Sequence, residues 1–342
     1  MWATAGSRLG GRYLLEAQLG KGGMGAVWRA RDLALGRMVA IKIVDTPGDR
    51  RLKAESRLRR EARLLGGLTH PNLVQVYDCR ETDEGAFIVM ELVEGESLAA
   101  RLARDGRLTP GEAASIAALC AGALDAAHLA GVVHRDVKPS NIMLSGGEVK
   151  IIDFGVAATT DPSDTTGAFG LFGTVAYLAP ERATGAPATP AADLYALGVV
   201  LYQMLAGRLP YMADESISML YAHTAASPIP LPLDVPPPLA EVCLHLLAKE
   251  PDMRPATGRM AQALLEAAPL DSPAVRMAPV PMRERSAPSI PAPATPVPPV
   301  HVDAPKLPLW QPDPEPAHTP QHARSHDSAP MKHLTRWLTR GQ

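Results

Sequence analysis

Apolar and polar positions along the chain fall into three textures: an alternating front, an apolar middle and a proline-rich end. Period-two alternation predicts strands over YLLEAQLG from Tyr13, AVWRARD from Ala26 and RMVAIKIV from Arg37. Two further runs, LVQVYDC from Leu73 and AFIVMEL from Ala86, read the same way. Between these sets Arg51–Gly66 is charged and helix-permissive, its Arg57–Arg60 run reads as a solvated face, and His70-Pro71-Asn72 ends the unit. Residues 1–12 carry no such pattern and predict a loose start.

Long apolar runs then set helices. Thr109-Pro110-Gly111-Glu112 has a cap, a proline at the first helical position and an acid three residues on, so a helix is expected from there to Gly131. A second starts at Thr189-Pro190 and ends at Gly207; its circumference is mostly apolar, which predicts burial. Asp193 near its start is an acid that needs partners if buried. A last helical stretch covers Gly258–Ala268. Between the first two helices lie the short apolar runs Val132-Val133 and Val149–Ile152, followed by Asp136 and Asp153. Strands that read into polar loops fix carboxylates where solvent and substrate meet.

Composition changes this picture at two places. With 34 basic and 36 acidic residues, no global field points to nucleic acid or a membrane surface. Three distant cysteines, Cys79, Cys120 and Cys243, show no metal spacing and fit a reducing cytoplasm. No signal-peptide pattern opens the chain, and the apolar window Leu194–Ala206 is too short to span a bilayer. A cytoplasmic protein without an integral membrane segment is therefore expected. The second change is at 269–330, which holds 17 of the 34 prolines. Such a segment cannot bury a core and is expected to be disordered or partly polyproline II, as a spacer or as a ligand for a proline-recognition domain. In 331–342, Leu334, Trp337 and Leu338 share a helical face beside Lys332, Arg336 and Arg340. This short basic segment could dock on the folded domain, a partner or an anionic surface, or be a ragged terminus.

Candidate chemistry concentrates in Val132–Gly155. Asp136 and Asp153 with Lys138 and Asn141 between them suit a metal-bound polyanion: hard Mg²⁺ takes oxygen ligands and lysine offsets phosphate charge. Gly20-Lys21-Gly22-Gly23-Met24-Gly25 is a G-x-G-x-x-G, weak evidence by itself. It is followed by a strand rather than by the helix of a dinucleotide fingerprint. Lys42 alternates onto the face of Ala40 among apolar neighbours, and a buried ammonium needs a partner.

HRDVKPSN at 134–141 and DFG at 153–155 resemble the catalytic and metal-binding loops of eukaryotic-like protein kinases. GKGGMGAVW, VAIK, GTVAYLAPE and PDMRP extend the resemblance over roughly 13–268, closest in texture to bacterial Hanks-type serine/threonine protein kinases. The resemblance implies an α+β fold with a small β-rich N-lobe (13–90), a hinge (91–95) and a larger helical C-lobe (96–268), after an N-terminal extension and before the proline-rich tail. It implies transfer of the ATP γ-phosphoryl group to protein Ser/Thr hydroxyls with Mg²⁺ or Mn²⁺. Asp136 would be the catalytic base, Lys138 and Lys42 would meet phosphates, and Asn141 and Asp153 would hold metal. Glu61 would pair with Lys42, with Glu55 the competing choice. Leu19, Gly20, Lys21, Gly22, Gly23, Met24 and Gly25 would cover the nucleotide. Val27, Ala40 and Met143 would sandwich adenine, Met90 would be the gatekeeper, and the backbones of Glu91 and Val93 would bond the base.

The same resemblance makes Asp193 a brace of the catalytic loop and Glu181 the ion-pair partner of Arg254. Thr174 with Lys138 favours Ser/Thr over Tyr. Arg135 reads as a phosphate receptor and the cluster Thr159, Thr160, Ser163, Thr165 and Thr166 as autophosphorylation sites, Thr165 or Thr166 foremost, with a homodimer acting in trans. Two other classes share the fold. A pseudokinase scaffold would lose a motif residue, yet Lys42, Asp136, Asn141 and Asp153 are all present. A small-molecule phosphotransferase would not need Gly173-Thr174, Ala179-Pro180-Glu181 and Arg254, which resemble a peptide platform.

Overall fold

The computed structural model describes residues 3–22, 25–44, 62, 65–82, 85–154, 175–212 and 216–270. All of them fall within one compact unit, Met1–Val280. Its first half is an antiparallel six-stranded sheet in the order β1-β2-β3-β4-β6-β5. The strands are β1 (Arg8–Leu9), β2 (Tyr13–Gly22), β3 (Gly25–Asp32), β4 (Arg37–Val44), β5 (Val76–Thr82) and β6 (Gly85–Glu91). Side chains alternate across a strand, so each face collects its own residues. Tyr13, Leu15, Trp28, Val39, Ile41, Ile43, Phe87 and Val89 form one buried cluster. Ala40, Ile88 and Met90, from the opposite face, belong to a second cluster that continues into the helices.

The start of the chain corrects the sequence reading. Residues 3–12 are tied down: β1 pairs with Tyr13 and Leu14, and Ala3 and Leu9 are buried in the outer cluster. Arg12 donates from Nε and Nη2 to the two carboxylate oxygens of buried Asp32, each at 2.7 Å. That guanidinium holds the Asp32 carboxyl down to about 2. A two-residue strand is too short for periodicity to show, which is why the reading missed it.

The second half is helical. Ser97 caps α1 (Leu98–Asp105) by accepting the Ala100 N–H at 3.1 Å. Thr109 caps α2 (Pro110–Leu129) by accepting the Glu112 N–H at 3.3 Å. The Glu112 carboxylate goes to Arg101 at 3.2 Å. After a short α3 (Pro180–Ala183) comes α4 (Pro190–Ala206), buried from Ala192 through Tyr202 and again at Met204 and Leu205. It is the axis of the lobe, and left-handed Gly207 ends it. Then follow α5 (Ser216–Ala225), α6 (Pro237–Leu246) and α7 (Gly258–Ala267). Among the described residues no helix is long and apolar enough to cross a membrane.

A small sheet joins the halves: β7 (Glu96–Ser97), β8 (Ile142–Ser145) and β9 (Glu148–Ile151), paired in that order. Gly95 leads into it, and a Cβ there would stand 2.1 Å from the Leu144 carbonyl oxygen, so only glycine lets the chain pass. A second junction lies nearby. The Ile151 N–H donates to Asn72 O (2.9 Å), the Val74 N–H to Ile151 O (3.0 Å) and Asn72 Nδ2 to Val149 O (2.8 Å).

Candidate active site

The sheet presents one face to the cleft. Val27 is opposite Lys42 on β3, and Ile88 and Met90 are opposite Lys42 and Ala40 on β6. Directly opposed residues of an antiparallel pair share a face. The apolar wall is therefore Val27, Ala40, Ile88 and Met90, with Lys42 the charged member. Ile88 was not singled out in the sequence, where it reads as one more core position.

Above this wall the glycine-rich turn is partly strand. Pairing of β2 with β3 persists to Gly22↔Gly25, with irregularities at Leu15/Ala17 and Gln18/Gly20 that bend the hairpin. Leu19 and Lys21 are exposed. A Cβ on Gly20 would meet nothing within 4 Å. The packing of the described residues does not demand a glycine there; a ligand approaching the backbone would. Gly23 and Met24 lie outside the described residues.

Below the wall, Asp193 organises the loop that leads to Asp136. Its Oδ2 accepts the His134 N–H at 2.7 Å and its Oδ1 the Arg135 N–H at 2.8 Å. His128 Nε2 donates to Oδ2 at 2.8 Å. These bonds hold Arg135 at φ 69°; Asp153, at φ 56°, is the other non-glycine residue with positive φ among those described. Such backbone costs about 1–3 kcal/mol per residue and persists where the surroundings over-determine it. Both strained positions stand at the proposed chemistry: Arg135 directly before Asp136, and Asp153 itself.

His134 and Phe154 link the two loops and were not predicted. His134 is fully buried, with its ring 4.6 Å from that of Phe154. Its Nδ1 accepts the Asp136 N–H at 3.2 Å, so Nε2 carries the proton and donates to Ile152 O at 3.0 Å. Burial lowers the His134 pKa and keeps the imidazole neutral in that tautomer. The histidine thus sets the Asp136 loop against the strand end that leads to Asp153.

The polar groups converge from there. Lys138 Nζ is 2.7 Å from Asp136 Oδ2. Asn141, nearly buried, donates from Nδ2 to Asp136 O at 2.8 Å and to Asp136 Oδ2 at 3.0 Å. With its amide nitrogen so engaged, the carbonyl oxygen of Asn141 is the donor atom available to a cation. Lys42 Nζ lies 3.0 Å from Asp153 Oδ1, so ammonium and carboxylate meet across the lobes. Two oxygen donors, Asn141 Oδ1 and the Asp153 carboxylate, fit a hard cation that completes its shell with phosphate and water. Met143 is on β8 and Val93 packs on the central core. The Glu91 N–H donates to Gln75 O at 2.9 Å.

On the far side, Arg254 donates from Nη1 and Nη2 to the two Glu181 oxygens, both at 2.7 Å. It also donates to the carbonyls of Ala248 (2.9 Å), Ala191 (2.8 Å) and Lys249 (2.9 Å). Glu61, Glu55, Gly155, Thr159, Thr160, Ser163, Thr165, Thr166, Gly173, Thr174 and the tail from 271 lie outside the described residues.

A family model described as protein kinase domain matches residues 13–266. The chain belongs to the protein kinase family, in its bacterial Hanks-type branch. It is 42% identical over 264 residues to serine/threonine-protein kinase PknA of Mycobacterium tuberculosis, covering 75% of this chain and 61% of that protein. It is 40% identical over 271 residues to PkaA of Streptomyces coelicolor, covering 75% of this chain and 50% of that protein. Identity to PrkC of Bacillus subtilis is 37% over 267 residues, covering 77% and 41%. The match thus spans less than two thirds of the length of these relatives.

Proposed function

We propose that the protein transfers the γ-phosphoryl group of ATP to serine and threonine hydroxyls of proteins. One observation carries this reading: Lys42 pairs with Asp153, Lys138 and Asn141 bond Asp136, and the Ile152 N–H bonds Asn141 O, so two ammonium groups, two carboxylates and an amide stand on two loops bonded to each other. Bound ATP with Mg²⁺ or Mn²⁺ supplies the phosphoryl group and metal-assisted charge neutralisation. Asp136 orients the acceptor hydroxyl and takes its proton late, as a loose transition state allows. Lys138 and Lys42 offset phosphate charge, and Asn141 and Asp153 offer oxygens to the metal. Val27, Ala40 and Met143 enclose the base while Met90 limits the depth of its pocket. Positioning and electrostatics do most of such catalysis.

Protein substrates are favoured over small molecules by the Glu181–Arg254 pair, which anchors the start of α3 below the region where a peptide would lie. A second copy of the chain is the partner for transfer in trans, with Glu61 brought to Lys42 once the segment before Glu181 is phosphorylated. The tail at 269–330 suits a spacer or a ligand for a proline-recognition domain, and 331–342 a docking segment. Mass spectrometry of the purified chain before and after ATP and Mg²⁺ tests the reading. New phosphate on Thr165 or Thr166 is expected. A chain that gains no phosphate on any Ser or Thr contradicts autophosphorylation, and an unimpaired Thr165→Ala/Thr166→Ala double variant contradicts its regulatory role.

A further inference from the structure

Lys150 sits where β9 faces the hinge. Its Nζ is 2.9 Å from Glu91 Oε1 and 3.1 Å from Oε2, and both side chains are largely buried. Glu91 ends β6 and begins the hinge. Its Oε2 also accepts the Gln75 N–H at 3.2 Å, while its own N–H donates to Gln75 O at 2.9 Å. The residue is thus held from the N-lobe through Gln75 and from the small sheet through Lys150. Lys150 is also directly opposite Met143 in the β8–β9 ladder, so both side chains stand on one face of that ribbon. Three residues beyond Lys150 the chain reaches Asp153. β9 therefore carries a brace for the hinge and leads into the loop with the carboxylate assigned to the metal.

This ion pair is not what attaches β9 to the rest of the fold. Its neighbours do that through the backbone, by way of the Val149 and Ile151 bonds to Asn72 and Val74. Removing the Lys150 ammonium leaves those bonds in place but leaves Glu91 with an uncompensated, partly buried carboxylate at the base-binding edge.

We propose that Lys150 is a positioning residue for the adenine subsite: by clamping Glu91 it aims the hinge carbonyl at the exocyclic amine of the base. The inference rests on the reading of the cleft as an ATP site. An aimed carbonyl accepts from the amine of adenine and meets the carbonyl of guanine with repulsion. Lys150 thereby sets base selectivity as well as affinity, and a loosened hinge loses both.

The test compares wild type, Lys150→Met, Lys150→Gln and Lys150→Arg as full chains, with kcat and KM for ATP and for GTP on one protein substrate. Methionine keeps the apolar stem without the charge. The Met variant is expected to raise KM for ATP about tenfold, the size of a lost hydrogen bond to a charged group. Its kcat should stay within about threefold, the pattern of lost ground-state binding. The ATP-over-GTP preference should narrow by a similar factor, and arginine should restore most of it. The Gln variant is read by the same criteria if the Met variant does not fold. An ATP KM within twofold of wild type overturns the proposal. So does an equal rise in KM for both nucleotides, because a merely structural lysine would not change their ratio. A wild type that binds neither nucleotide overturns the underlying site reading instead.

Discussion

Asp136→Asn is expected to lower kcat by about 10²–10⁴-fold, the range for loss of a positioned acid–base group. The substitution keeps size and removes the carboxylate proposed to take the hydroxyl proton. The fold should survive it. Asn141 also bonds the Asp136 main-chain oxygen at 2.8 Å, and that bond does not depend on the side chain. Lys138 loses its partner at a partly exposed position, where an ion pair contributes about 0–1 kcal/mol. ATP affinity measured by calorimetry should therefore stay within about threefold while turnover collapses. A variant that keeps a tenth or more of wild-type kcat would remove Asp136 from the chemistry.

Arg254→Met is expected to cost the folded state about 3–5 kcal/mol in denaturant unfolding, because it breaks a buried pair by removing one partner. The Arg254 side chain is 0% exposed and serves Glu181 and three carbonyls at once. Without it, the Glu181 carboxylate and those carbonyls lose their donors in a dry environment. Replacing both partners, as Arg254→Met/Glu181→Leu, should recover part of the loss, since an apolar pair carries no stranded charge. A single-variant loss below about 1 kcal/mol would show that water or rearrangement satisfies these groups as well as Arg254 does.

How far the sequence discloses this architecture depends on distance along the chain. The strand over Arg37–Val44 was legible because period-two alternation runs through eight residues, and the helix after Thr189 because a proline start, a glycine stop and an apolar run frame it. Asp136, Lys138, Asn141 and Asp153 were legible because they fall in one short string whose resemblance is specific. Contacts between distant segments carry no such signature. Lys42 meets Asp153 across 111 positions, and Lys150 meets Glu91 across 59. Neither lysine reveals its partner in its own neighbourhood. His134 was present in the recognised string, yet its role depends on the Ile152 carbonyl and on Phe154, which only folding brings to it. The N-terminal residues misled because a two-residue strand and a single arginine, Arg12, secure them. The glycine-rich turn was legible as a motif but not as strand pairing that reaches Gly22 and Gly25, since glycine is a poor strand former and reads as a loop.

The central claim is metal-dependent transfer of phosphate to protein hydroxyls, and the most direct measurement follows the phosphate. The purified chain is incubated with γ-labelled ATP, Mg²⁺ and a protein substrate, and the labelled protein is hydrolysed to its amino acids. Label in phosphoserine and phosphothreonine, abolished when a chelator removes the cation, is the predicted result. No label above the enzyme-free control, or label confined to tyrosine, would contradict it.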